Sequence, residues 1–369
     1  MFRRRRLRDN VDSPDLEVTS FVNRLCAAVQ NNQVNEIYDI LLNTEMEQES
    51  VLLVYSTAVQ IGNPDVVRIF LELRHVNVND LDLMFGETAL MHAVRNCHVS
   101  LIKYLLSNNA DVNKKSSQTG VTALHVCVSG PEKPDNNIEV LTCLLERKEI
   151  DLEIRNNDDE TPLMTASSQL KGKEIMRLLD AGSNMYALHQ SKGLYPVHIC
   201  LVSRYFSSNP SVIADCFRIY LKYGIDPNFR DVRGAPLIDF ALRMDNYKVF
   251  CLLLYSNCDI NILCSDGNNT YHPPLYYACA RKAGRFITTL LEAGCDFHNL
   301  YDFVHETLSL INNGCCHILN APRTLKELCR NKIRKLLGPF PHKVVDKIGM
   351  PKFIRDYVML KDLIGDIEL

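Results

Sequence analysis

At 369 residues the chain is long enough to bury a large core, and 46% hydrophobic with 23% charged residues is the composition of an ordinary globular protein. A net charge of −3 offers no bulk attraction to nucleic acid or to a membrane surface, so the expected partners are proteins. The 14 cysteines contain no CxxC pair, and Cys127, Cys143, Cys200 and Cys251 fall within apolar periodic segments, the pattern of reduced buried thiols and not of a disulfide framework or zinc site. The N-terminal "MFRRRRLRDNVDSPDLE" has no apolar stretch of a secretory signal, and no run approaches the roughly 18 apolar residues of a membrane span. The expectation is a cytoplasmic chain, with nuclear residence also open, that binds no nucleic acid or membrane and needs no cofactor. Residues 1–17 read as a basic flexible tail, in which Asp9, Asp12 and Asp15 dilute the run Arg3 to Arg6.

Helical periodicity begins with "FVNRLCAAVQNNQVNEIYDILL" from Phe21 and "SVLLVYSTAVQIGNPDVVRIFLEL" from Ser50. A recurring segment follows: "GETALMHAV" at Gly86, "GVTALHVCV" at Gly120, "DETPLMTAS" at Asp159, "GLYPVHICL" at Gly193, "GAPLIDFAL" at Gly234 and "YHPPLYYACA" at Tyr271. These segments recur every 34 to 41 residues, each followed by a second apolar helix such as "VSLIKYLLSNNADVN" or "YKVFCLLLYSNCDIN". The pattern resembles ankyrin repeats, whose period is about 33 residues with a T-P-L-H-x-A signature. Thr88, Thr122 and Thr161 stand at helix starts, where a hydroxyl can accept orphan backbone N–H groups, and Pro162 and Pro196 suit a first helical turn. Gly182, Gly224 and Gly294, with Asn109 and Asn257 in the equivalent place, are expected in the left-handed conformation that ends a helix. The prediction is about eight units over residues 18–300, the first two degenerate and the first serving as a cap.

Within this array His125 and His198 read as structural residues that hydrogen-bond neighbouring backbone, and the Leu-Leu pairs (Leu105/Leu106, Leu144/Leu145, Leu178/Leu179, Leu253/Leu254) read as core. Insertions at 129–137 and 203–211, and the loop 263–274 with Tyr271 and His272, mark candidate contact loops, although a tolerated surface loop is the more common explanation of such insertions. Residues just before each Gly-x-Thr segment are expected on one exposed strip. It includes Arg155, Asp158, Lys192, Arg230 and Arg233, with Asp266 at its end, and its basic character would suit an acidic or phosphorylated segment of a substrate protein. A solvated edge is the alternative reading.

After a connector at 301–320, "TLKELCRNKIRKLL" places Leu325, Leu328, Cys329, Ile333, Leu336 and Leu337 on one stripe, with Lys326, Arg330, Arg334 and Lys335 elsewhere. "HKVVDKI" and "KFIRDYVML" follow as short helices. Three such helices are marginal without a partner surface. Residues 321–369 resemble a SOCS box, and the whole chain is similar to the ankyrin-repeat and SOCS-box family. Thr324, Leu325, Leu328, Cys329 and Ile333 match the family's elongin-binding pattern. Ile348, Met350, Pro351, Ile354 and Tyr357 match its cullin-binding pattern, with Gly349 where the first Pro usually stands. The resemblance implies an all-α fold, an ankyrin-repeat solenoid followed by a small three-helix SOCS box. It also implies a non-catalytic substrate receptor that binds elongin B and elongin C and cullin 5 with its RING partner, while the repeats hold an unidentified protein substrate. Two alternatives remain at this stage: a Leu/Cys/Ile stripe that only caps the last repeat, and an ankyrin scaffold without a ligase role. No P-loop, G-x-S-x-G or HExxH is present, since His305-Glu306 lacks the second His.

Overall fold

The computed structural model describes residues 14–43, 47–73, 76–130, 136–203, 210–265, 271–311, 325–338, 341–348 and 350–361. Most of both inserted loops, together with Asp266, Thr324 and Gly349, lies outside the described residues. The chain divides into two compact units, residues 1–162 and 163–369.

The first unit holds α1 (Pro14–Gln30), α2 (Val34–Asn43), α3 (Gln48–Ile61), α4 (Pro64–Glu72), α5 (Ala89–Arg95), α6 (Val99–Ser107), α7 (Ala123–Ser129) and α8 (Asn136–Leu145). First helices pack on first helices, α1 on α3 on α5 on α7, and second helices on second helices, α2 on α4 on α6 on α8. This is the two-row stacking of ankyrin units. The first helix starts at Pro14, inside the stretch expected as tail.

Local chemistry explains the boundaries. The Thr88 hydroxyl accepts the Met91 N–H at 3.3 Å. Thr122 and His125 form a capping box in which His125 Nδ1 accepts the Thr122 N–H at 3.3 Å, leaving Nε2 to donate to the Glu160 carbonyl at 3.0 Å. Between repeats the chain makes short hairpins such as Leu81 paired with Thr88, and Gly86 turns the tip at φ 60°, a region that glycine enters without Cβ strain.

The second unit starts within α9 (Pro162–Ser168) and continues with α10 (Gly172–Asp180), α11 (Pro196–Val202), α12 (Pro210–Lys222), α13 (Leu237–Arg243) and α14 (Tyr247–Tyr255). A two-residue hairpin, β1 (Cys264–Ser265) with β2 (Tyr271–His272), precedes α15 (Pro274–Ala280) and α16 (Gly284–Glu292). Gly182, Gly224, Gly294 and Asn257 all lie at positive φ after their helices, as does Asn109 in the first unit. Residues read from sequence as connector instead begin with a helix, α17 (Tyr301–Ile311), which packs on α15 and buries Val304 and Leu308 completely. An end unit exposes an apolar face that needs cover, and α17 supplies it.

Two features differ from the sequence reading. His198 is fully buried, yet neither ring nitrogen has a hydrogen-bond partner among the described residues; instead the ring packs against Tyr195, Phe229 and Phe240, with centroids 5.8, 5.5 and 4.9 Å away. Unlike His125, it is held by aromatic packing and not by backbone.

The second difference is an asparagine ladder. Asn79 Oδ1 accepts the Asp111 N–H at 2.7 Å and Asn113 Oδ1 the Asp151 N–H at 2.9 Å in the first unit. Asn228 and Asn261 do the same for Asp259 at 2.7 Å and Asp296 at 2.8 Å in the second. Each turn, Asn-x-Asn at 77–79 and Asp-x-Asn at the other three, thereby satisfies an amide of the next repeat.

Candidate functional site

The three C-terminal helices are α18 (Leu325–Leu337), α19 (Pro341–Ile348) and α20 (Lys352–Val358), all within the second unit. Good helix formers fill α18, Arg334 and Lys335 stand in its last turn, and Gly338 ends it at φ 68°.

Burial reverses the amphipathic reading of α18. Arg330 and Arg334, one helical turn apart, are 5% and 7% exposed, whereas Cys329 is exposed and Leu336 is 77% exposed. Ile333 is half-buried. The arginine face turns inward, whereas Cys329 and Leu336 of the described apolar stripe turn out and Leu337 packs inward. Leu325 and Leu328 lie in the first turn, and their side chains fall outside what is described.

What receives the arginines makes this stable. Arg334 Nη1 donates to the Val358 carbonyl at 2.7 Å, and Nη2 donates to the Leu254 carbonyl. Those carbonyls belong to the last turns of α20 and α14, the negative ends of two helix dipoles. Asn257 answers from the ankyrin side, its Nδ2 donating to the carbonyls of Arg334 at 2.9 Å and Gly338 at 2.7 Å. The ankyrin turn therefore caps α18 while Arg334 of α18 caps α14. Burial pulls the Arg334 guanidinium down to about 10, still charged at neutral pH. Arg330 lies 3.8 Å over the Tyr357 ring, a close cation–π contact. Beneath them Tyr255, Val345 and Met359 form a buried cluster with Leu337 and Met350 packed on it.

The expected cullin-binding residues divide accordingly. Ile348 is 57% exposed, Pro351 is exposed and Ile354 is 36% exposed, whereas Met350 packs on the buried cluster and Tyr357 lies under Arg330. Phe353, absent from the sequence reading, is 74% exposed beside Ile354. Its position next to a matched motif residue was the available signal.

The expected substrate residues are scattered over both units. In the first, Arg155 bonds Asp159 Oδ1 at 2.7 Å across its own turn, and Asp158 is exposed. The nearby tip Leu83, Met84 and Phe85 is an exposed apolar run, over a buried contact of 2.6 Å between His92 and Asp82. In the second, Arg230 Nη1 is held by the carbonyls of Gly234 at 2.5 Å and Leu263 at 2.9 Å. Lys192 is exposed, and Arg233 extends into solvent 3.6 Å from the buried carboxylate of Asp231. Arg155 and Arg230 thus brace finger turns. No helix is long and apolar enough to cross a membrane, and no group of three or more His, Cys, Asp or Glu is placed to hold a metal ion, both among the described residues.

Comparison with known proteins agrees with this geometry. The ankyrin repeats profile matches residues 25–116 and 55–156, and the SOCS box profile matches residues 321–359. The chain is an ankyrin-repeat protein. With a SOCS box after its repeats, it has the make-up of the ankyrin-repeat and SOCS-box family.

The chain is 23% identical over 330 residues to Ankyrin repeat and SOCS box protein 16 of Mus musculus, covering 76% of this chain and 69% of that one. It is 24% identical over 221 residues to the Nuclear factor NF-kappa-B p105 subunit of Gallus gallus, covering 58% and 21%. It is also 24% identical over 274 residues to the E3 ubiquitin-protein ligase KEG of Arabidopsis thaliana, covering 64% and 16%. The chain therefore spans only 21% and 16% of the latter two relatives.

Proposed function

We propose that the protein is a substrate-receptor subunit of an elongin B/C–cullin 5 ubiquitin ligase, with no catalytic step of its own. The carrying observation is α18, whose Arg330 and Arg334 are buried against its neighbours while Cys329 and Leu336 face outward and Ile333 stays half-buried beside them. A helix that only capped the last repeat would turn that stripe inward, and α17 already covers α15. In this reading Thr324, Leu325, Leu328, Cys329 and Ile333 bind elongin C. Ile348, Pro351 and Ile354 meet the cullin along with Phe353, while Met350 and Tyr357 support that surface from within. The repeats hold the substrate, and transfer to its lysines is promoted by effective concentration.

Changing Cys329→Asp together with Ile333→Asp removes co-purification of elongins B and C on expression in cells and leaves the ankyrin array folded. Wild-type capture by the double variant contradicts the reading, and leaves an ankyrin scaffold without a ligase role. In a purified complex cullin 5 is preferred to cullin 2, and equal affinity for the two contradicts that part alone.

A further inference from the structure

On the second unit, the loops that follow α13 and α15 lie side by side and enclose an open groove of about 440 Å³ with Leu242 and Phe286 among its walls. Three cations line it, Arg281, Lys282 and Arg285, against one carboxylate, Asp245, whose side chain is 72% exposed. Their placement does not come from mutual neutralisation. Arg281 Nη1 is tied to the carbonyls of Leu242 at 3.2 Å and Arg243 at 2.8 Å. Arg285 lies 5.0 Å over the Tyr247 ring, itself fixed by a 2.8 Å hydroxyl bond to Thr289, and reaches Asp245 only at 3.4 Å. Lys282 is exposed and has no partner among the described residues.

Adding Arg243, whose partner Asp239 is buried at 2.8 Å, gives four cations and two carboxylates, a surplus of two positive charges. Backbone and ring contacts hold like charges together at an electrostatic cost, and two guanidinium groups are pre-placed with donors to spare. A phosphorylated side chain, at about −1.5 to −2 charges, matches that surplus, and its oxygens suit guanidinium forks.

We propose that this groove docks a phosphorylated, acidic peptide segment of a partner protein. The proposal is separate from the ligase reading, since the groove needs neither elongin nor the outward face of α18. It also differs in place from the finger strip, since Arg155 and Arg230 lie on the turns before α9 and α13 and not on the loops after α13 and α15.

The test is fluorescence anisotropy of the full chain with a labelled peptide whose central phosphoserine is flanked by aspartates, against its unphosphorylated twin. Tighter binding of the phosphopeptide by about tenfold at low salt is expected, weakening as salt rises. The double variant Lys282→Asn with Arg285→Gln should remove that preference while melting as wild type. Asn tolerates the φ of 54° at position 282, and Gln keeps the stem over Tyr247. The single variant Lys282→Asn, if the double melts early, should lose part of the preference. Equal affinity for both peptides, an undiminished preference in a folded variant, or binding to phosphoinositide vesicles without binding to the phosphopeptide overturns the proposal.

Discussion

Arg334→Glu is expected to release the three C-terminal helices from the repeats of the second unit while those repeats stay folded. The wild-type guanidinium is 7% exposed and has no carboxylate partner among the described residues; it is stabilised by the carbonyls of Leu254 and Val358. Each bond to a charged donor is worth about 1.5–3 kcal/mol. A glutamate would lose both and set a buried negative charge against two negative helix ends, so the total loss is roughly 4 kcal/mol or more. Hydrogen exchange reads the result directly. Amides of α18 and α19 lose protection, whereas those of α11 and α13 keep it. Arg334→Lys retains the charge but not the fork, and falls between. Wild-type protection in Arg334→Glu would mean that the reciprocal caps do not hold the helices in place.

The second large effect is acid sensitivity centred on His198. Burial among aromatic rings pulls its folded-state value down to about 4, against an opposing pull from Asp231, while an unfolded chain protonates near 6.5. Above about pH 6.5 both states are neutral there and His198 gives no pH slope. Between roughly pH 6.5 and pH 4 only the unfolded state takes up the proton, so stability falls with pH, by roughly 3 kcal/mol over the window. His198→Phe keeps a ring in the cage and removes the proton site. Urea denaturation at pH 7 and pH 5 should show wild type losing about 2 kcal/mol more than the variant. Identical losses would show that the ring is solvated or hydrogen-bonded in solution.

His198 also illustrates how far the sequence could be read. The motif position is shared with His125, and both were expected to bind backbone. Only His125 does, because Thr122 lies three residues before it and the Glu160 carbonyl faces its far nitrogen. At His198 the matching residue is Tyr195, and an aromatic neighbour brings rings instead of an acceptor. The repeat ends were legible because glycine and asparagine at positive φ have a chain-local cause. The asparagine ladder was not, since its acceptor and donor lie about one repeat apart and the Asx-x-Asn triplets look like ordinary turns.

The same limit applies to α18. A stripe at three-to-four spacing says that one face is apolar, not whether this chain or another covers it. The answer depended on what the second unit offers, two helix C-termini and the Tyr357 ring, which attract cations more than leucines. The residues matched to the SOCS-box pattern were legible as a set. Their division into outward Ile348, Pro351 and Ile354 and inward Met350 and Tyr357 required the packing.

Calorimetric titration of purified elongin B/C complex into the full chain tests the central proposal most directly. The account predicts saturable one-to-one binding to wild type and no measurable heat with Cys329→Asp/Ile333→Asp, whose ankyrin array stays folded. Binding by the folded double variant at wild-type strength, or none by the wild type, would contradict it.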